Sequence, residues 1–226
     1  MNNKTIIITG ADGFLGTATV KKFFEQGANV VAAFGGTRPA DVNDAVHSIE
    51  NCDLTNIDHA KAIIDTTCCK FSAPDILINI AGGFIWKTIK DTSVDDFDAQ
   101  FNINFKTMYN MTKASLEKIE SSKNGRIINI AAMAALKAQE GMAAYAVSKA
   151  AVMRFTEALA IETPDNVTVN AIMPSIIDTP VNRSDMPDAD FTKWVTTTEI
   201  IDQMVFLASN EASGINGALI PVAGRV

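Results

Sequence analysis

The feature that most constrains this chain is a recurring alternation. Short apolar runs, Thr5 to Thr9, Asn29 to Phe34, Asp75 to Ile80, Arg126 to Ala131, Val167 to Ile172 and Ala218 to Val222, are separated by longer stretches with helical periodicity. Runs of this length read as strands, and the intervening Phe14 to Gln26, Ile57 to Lys70, Val94 to Glu120 and Ala143 to Glu162 are long enough for crossover helices. Parallel strands this apolar need cover on both faces, so the pattern predicts an α/β doubly wound sheet. At 226 residues one such sheet absorbs the whole length. No repeat, low-complexity linker or compositional break divides it, so a single domain over 1–226 is expected. Asp178 to Thr198, rich in Pro, Asp, Thr and Asn, is expected to leave the sheet after the sixth strand as a substrate lid, 178–198.

Composition narrows the function classes. With 47% hydrophobic and 20% charged residues, the chain belongs among globular proteins. A net charge of -7, with no cluster of Lys and Arg, argues against nucleic acid. The run Thr5-Ile6-Ile7-Ile8 is too short for a signal peptide or a membrane span, so a cytoplasmic protein with no membrane partner is expected. Cys52, Cys68 and Cys69 have neither CxxC spacing nor a His at zinc-ligand distance. They predict buried or half-buried free thiols, with no disulfide frame and no metal site.

The first strand runs into Thr9-Gly10-Ala11-Asp12-Gly13-Phe14-Leu15-Gly16 and then into an amphipathic helix. Glycines allow the tight turn and a close approach by phosphate, and a helix N-terminus offers free N–H donors with partial positive charge. The same glycines also suit a plain strand-to-helix connection. At the end of the second strand, where an acidic residue receiving the ribose would favour NAD, the sequence reads Ala33-Phe34-Gly35, with Arg38 beyond. Arg38 serves either a 2′-phosphate or a solvated loop, so the cofactor is NAD or NADP, undecided. Cys52-Asp53-Leu54 is expected to close a third short strand, where Asp53 either meets the adenine or begins the next helix.

Tyr145-Ala146-Val147-Ser148-Lys149 lies in a helix-patterned stretch, so Tyr145 and Lys149 share one face a turn apart. An ammonium held near a phenol is expected to lower the phenol pKa and make it a proton donor or acceptor for a carbonyl oxygen. Spacing of this kind also arises on solvated helix faces.

In order from end to end, these marks resemble the short-chain dehydrogenase/reductase family. After the glycine turn and Asp53 comes Asn79-Ile80-Ala81-Gly82, similar to the family's N-x-A-G. Asn104 in Asn102-Ile103-Asn104-Phe105 resembles its helix asparagine. Pro174-Ser175-Ile176-Ile177-Asp178-Thr179 resembles its P-G-x-x-x-T. The resemblance implies a Rossmann-type sheet of about seven strands, order 3-2-1-4-5-6-7. It implies Tyr145, Lys149 and Asn104 as catalytic residues. It also implies a dinucleotide bound by Gly10, Asp12, Gly13, Phe14, Leu15, Gly16, Phe34, Asp53, Leu54, Asn79, Ala81, Gly82, Tyr145, Lys149, Pro174, Ile177 and Thr179. A homo-oligomer, dimer or tetramer, is expected on the same ground.

The departures carry information. The glycine spacing is that of the family's extended members, whereas the length is that of its classical ones. Ser175 replaces a glycine. The serine expected thirteen residues before Tyr145 is Ala132. Losing one donor to a developing oxyanion costs roughly 2.7–4 kcal/mol if nothing replaces it. Two readings follow. One is an active enzyme whose small-molecule acceptor needs no serine, as in dihydropteridine reductases, which this chain resembles in having alanine there and which reduce a quinonoid pterin. The other is a catalytically weakened dinucleotide-binding sensor or scaffold. Phe84 and Trp86 after the fourth strand, with Ala132, Met142 and Trp194, are candidates for the substrate pocket; the aromatics equally suit packing of their loop onto the next helix.

Overall fold

Strands β1 (Thr5–Thr9), β2 (Asn29–Ala33), β3 (His47–Ile49), β4 (Ile76–Asn79), β5 (Gly125–Ile130), β6 (Val167–Pro174) and β7 (Leu219–Val222) form one parallel sheet in the order β3-β2-β1-β4-β5-β6-β7. This is the expected order, and it is seen in a computed structural model that describes residues 1–225. Register explains why β1 is apolar throughout: Ile7 is flanked by Val31 and Leu77, and Ile8 by Ala32 and Ile78. Because side chains alternate across a strand, Ile6 and Ile8 go to one face and Ile7 to the other. The first face packs against Val20 and Phe23 of α1 (Phe14–Glu25) and Ile200 and Met204 of α7 (Thr197–Ala208). The second packs against Ile63 and Ile64 of α2 (Ile57–Lys70) and Met111 of α4 (Thr107–Glu120), with Leu159 of α5 (Ala143–Glu162). Every loop leaving a strand's carboxyl end therefore opens on one edge of the sheet, where the reversal between β1 and β4 makes a crevice.

Three local expectations are corrected. The single helix expected over 94–120 is α3 (Val94–Phe101), a π-helical turn (Asn102–Lys106) and α4. The turn coincides with Asn104, whose Nδ2 donates to Gln100 O at 3.0 Å and to Gly83 O at 2.9 Å. An amide that bridges its own helix to another loop displaces the regular ladder. The third strand stops at Ile49, short of Cys52, because Asn51 turns left-handed (φ 54°) and donates its N–H to Gly36 O. Cys52 and Cys68 are buried and half-buried as expected, but Cys69, one residue further round α2, is exposed.

Residues 178–198 are more ordered than a bare excursion. Thr179 caps a short helix α6 (Pro180–Asp185), its Oγ accepting from Asn182 N at 3.1 Å. The chain then returns, with Val195 bridging Ile177. Among the described residues no helix is long and apolar enough to cross a membrane, and no group of His, Cys, Asp and Glu is placed to hold a metal ion.

Candidate active site

The crevice at the β1/β4 reversal is a continuous cleft walled by the loops after β1, β2, β4, β5 and β6 and by α5. Its β1 wall is the glycine turn. Gly10 has φ +63°, and a Cβ there would lie 2.7 Å from Ala81 Cα; a Cβ on Gly16 would lie 2.0 Å from Gly10 O. Both positions therefore require glycine. Gly13 would meet only Gly10 O at 3.4 Å, so its role is to keep the approach to α1 open. The N-terminus of α1 has no side-chain cap and no acidic residue in its first turn. Its first N–H groups and partial positive charge thus face the cleft between Asp12, Phe14 and Leu15, an arrangement that fits a pyrophosphate. Thr9, which sequence reasoning passed over, ties this turn to the next wall: its Oγ accepts from Ile80 N at 3.1 Å and Ala81 N at 3.2 Å. The signal for it was the Thr before Gly10.

At the β2 and β3 end the cleft is lined by Gly35, Asn51, Cys52, Asp53 and Leu54. Asp53 Oδ1 accepts from Thr55 N at 3.0 Å and Thr55 Oγ at 2.6 Å, and Asn56 caps α2. Asp53 thus holds the turn before the helix while still bordering the cleft. Asn110, also missed, secures this turn by donating to Leu54 O at 2.9 Å and Thr55 O at 3.0 Å.

The centre of the cleft holds the catalytic candidates. Ala81, Gly82, Phe84, Trp86, Asn104, Ala132, Met142, Tyr145 and Lys149 all border it, with Pro174, Ile177 and Thr179 opposite. Asn104 clamps the loop after β4, its Oδ1 accepting from Gly83 N at 3.0 Å while its Nδ2 donates to Gly83 O. Gly82 is squeezed between functional groups, since a Cβ there would stand 2.6 Å from Asn104 Oδ1 and 3.3 Å from Lys149 Nζ. Lys149 is buried and donates from Nζ to Ile130 O at 2.8 Å. Burial pushes its ammonium down to about 8 and pushes the Tyr145 phenol up to about 12. The expected lowering of the Tyr145 pKa by Lys149 is therefore corrected: burial raises it instead. At neutral pH the site presents a phenol O–H next to an ammonium.

Phe84 meets the Tyr145 ring edge-on, centroids 5.0 Å apart, and Trp86 packs on the backbone of Gly141 (φ +75°). Both aromatics stay half exposed to the cleft mouth, at 48% and 57%, so the packing and pocket readings coexist. Ala132 faces the cleft with an extended backbone and a methyl group where a hydroxyl would act. The hydroxyl of Ser175 does not substitute, because it donates to Ala223 O at 2.8 Å; its own φ is not positive, so the change from glycine brings no strain.

Three candidates stand outside the cleft lining. Phe34 turns into the core beside Val42 and Val46, since the loop after β2 folds back over it. Asn79 is buried in a polar chain across the sheet, donating to Thr112 Oγ at 3.3 Å and Asn129 Oδ1 at 2.9 Å, while Asn129 donates to Thr156 Oγ at 2.9 Å. Trp194 is buried against Phe191, where the returning half of the 178–198 segment docks. In its place the segment offers the cleft Asn182, Asp185 and Met186.

Comparison with known proteins decides the family. Residues 4–190 match the sequence model for "short chain dehydrogenase". The chain is a short-chain dehydrogenase. It is 28% identical over 243 residues to a cyclopentanol dehydrogenase of Comamonas sp. (strain NCIMB 9872), covering 99% of this chain and 97% of that one. It is 28% identical over 245 residues to the 3-oxoacyl-[acyl-carrier-protein] reductase FabG of Thermotoga maritima, covering 99% and 98%. The ligand-free aldohexose dehydrogenase of Thermoplasma acidophilum superposes with a TM-score of 0.91 at 27% identity, covering 99% and 94%. This short-chain dehydrogenase is accordingly an NAD(P)-dependent oxidoreductase.

Proposed function

We propose that the protein transfers hydride between a nicotinamide dinucleotide and a small carbonyl/alcohol pair or a conjugated imine such as a quinonoid pterin. The observation that carries this reading is that one cleft joins an uncapped helix N-terminus, fit for pyrophosphate, to a protonated Tyr145 beside a buried Lys149. When bound, the dinucleotide supplies the hydride.

The protein's residues do the rest. The glycine turn and the α1 N-terminus hold the phosphates; Asp53 and Leu54 border the adenosine; Ala81, Gly82, Pro174, Ile177 and Thr179 enclose the nicotinamide end. Tyr145 donates its phenolic proton to the acceptor oxygen or nitrogen in the reductive direction and takes one in the oxidative direction. Its pKa near 12 keeps it protonated across the ordinary pH range. The Lys149 ammonium stabilises the phenolate left behind, and since its pKa is near 8, reductive turnover falls as pH rises through that value. Asn104 fixes the loop after β4 and relays protons past Lys149. Phe84, Trp86 and Met142 form the apolar side of the acceptor pocket, and the 178–198 segment closes over it through Asn182 and Met186.

Without a serine at Ala132, Tyr145 alone polarises the acceptor, which favours one that is already easily reduced. Fluorescence titration with NADH and NADPH, followed by oxidation assays with quinonoid pterin and simple ketones, tests this: binding with turnover is expected, faster on the pterin. Installing Ala132→Ser adds a donor to the oxyanion site and is expected to raise turnover of simple ketones by about 10²-fold. The methyl-for-hydroxyl change at Ala132 also motivates the second reading, a dinucleotide-binding sensor. Tight binding with no turnover across the panel, and no gain in Ala132→Ser, would favour it.

We also propose a cytoplasmic homo-oligomer built on α4 and α5. Tyr109, Val147 and Ile161 stand exposed on these helices, Ile161 at 86%. Light scattering is expected to give a dimer or tetramer; a monomer at micromolar concentration would contradict it.

A further inference from the structure

The end of β2 lacks the acidic residue that would receive a ribose, and Phe34 is turned into the core. A carboxylate nevertheless occupies the place, supplied by the glycine turn. Asp12 reaches across from the β1 loop, and its Oδ2 accepts a hydrogen bond from Gly36 N at 3.0 Å. The same oxygen would lie 3.5 Å from a Cβ on Gly35 and 3.7 Å from one on Gly36, so the two glycines give it room. Asp12 and Gly35 both line the adenosine end of the cleft. Held through one oxygen by a backbone amide, the carboxylate keeps its other oxygen for a hydroxyl donor.

The remaining charges nearby do not offset it. Arg38, the cation on the same loop, is paired with Asp44. Lys106 and His59 act on Asp53, on the other side of this end of the cleft. Asp53 itself already accepts two hydrogen bonds from Thr55 at Oδ1.

We propose that Asp12 selects the cofactor: its carboxylate accepts the 2′-hydroxyl of the adenosine ribose and excludes a 2′-phosphate, so the protein uses NAD in preference to NADP. The proposal rests on the dinucleotide reading above. A hydroxyl-to-carboxylate bond is charge-assisted, whereas a phosphate dianion against the same carboxylate is a like-charge contact, and Arg38 is turned to Asp44 instead. The selecting group has moved from the end of β2 to the turn after β1, and the ribose site is intact without an acid in its usual position.

Fluorescence titration with NADH and NADPH tests this on the wild type, Asp12→Asn and Asp53→Asn. The amide introduced by Asp12→Asn retains an acceptor for Gly36 N, and the site is exposed, so the variant keeps its fold. The wild type is expected to bind NADH about 100-fold more tightly than NADPH, and Asp12→Asn to bring the two within about tenfold, mostly by tighter NADPH binding. Asp53→Asn is expected to leave the ratio in place. Equal binding of both dinucleotides by the wild type, an unchanged ratio in Asp12→Asn, or a ratio that moves with Asp53 instead would overturn the assignment while leaving the oxidoreductase reading intact. Binding of neither dinucleotide would overturn that reading together with the assignment.

Discussion

Replacing Tyr145 by Phe is expected to lower turnover by about 10³-fold while leaving dinucleotide affinity within a few-fold of the wild type. The asymmetry follows from what the substitution removes. Phenylalanine keeps the ring, and with it the edge-on contact to Phe84, so the wall of the cleft stays as it is. Only the proton donor goes. The loss is expected to exceed that in a relative with a serine, because Ala132 offers no second donor to sustain residual turnover. Steady-state rates on the best acceptor, set beside the NADH titration, check both halves; a variant that turns over at the wild-type rate would remove Tyr145 from the chemistry.

Lys149→Met is expected to do something less intuitive, lowering turnover sharply while leaving the fold at least as stable at neutral pH. The ammonium is fully buried, and its pKa falls from 10.5 in the unfolded chain to about 8 in the folded one. Below pH 8 the group is charged in both states, and the folded state bears the whole cost of desolvation, on the order of 3 kcal/mol. Between 8 and 10.5 the folded protein releases the proton while the unfolded chain keeps it, so wild-type stability gains from this group as pH rises. Above 10.5 both are neutral and the penalty is gone. Methionine has no charge to desolvate but leaves Ile130 O without its donor, which costs about 1–3 kcal/mol. The net expectation is a change between none and a gain of about 2 kcal/mol at pH 7 that shrinks or reverses by about pH 10, read by urea denaturation at the two pH values. The same variant is expected to lose about 10²- to 10³-fold in turnover, since the phenolate loses its counter-charge. A variant less stable than wild type at neutral pH and relatively better in alkali would contradict this account.

Both predictions rest on residues whose types are readable in the sequence, and their environment shows where such reading stops. The bounds of α2 and α5, Ile57–Lys70 and Ala143–Glu162, match the expectation because each helix is long and follows a clear break. The strand order follows from the resemblance, and the apolarity of β1 and β5 agrees with their central places.

Features that depend on distant contacts are not legible. The π-helical turn at Asn104 exists because its amide grips Gly83, twenty-one residues away in sequence, and no local pattern announces that grip. Position in the suspected lid groups Trp194 with the pocket, but that segment bends back through the Ile177 and Val195 bridge and buries it. The Tyr145 pKa moves opposite to expectation for a related reason. Spacing along α5 predicts the neighbouring cation, whereas the burial that raises the pKa depends on distant contacts such as that of Phe84, in the loop after β4, against the ring. Asp12 is legible as a member of the glycine turn, but its reach to Gly36 requires the geometry of the β2 edge.

The central claim is that this cleft moves a hydride with Tyr145 as the proton partner. Its most direct test uses NADH carrying deuterium at both C4 positions of the nicotinamide. The label is followed into the carbinol carbon formed from a set of small ketones; with quinonoid pterin, whose new hydrogens sit on exchangeable nitrogen, the slowing of dinucleotide oxidation by the deuterium is followed instead. The expected result is deuterium in the ketone product equal to the oxidised dinucleotide formed, or, with the pterin, oxidation slowed by the label, with either signal lost in Tyr145→Phe. Tight dinucleotide binding with no oxidation by the pterin and no label in any ketone product, or turnover undiminished in Tyr145→Phe, would contradict it.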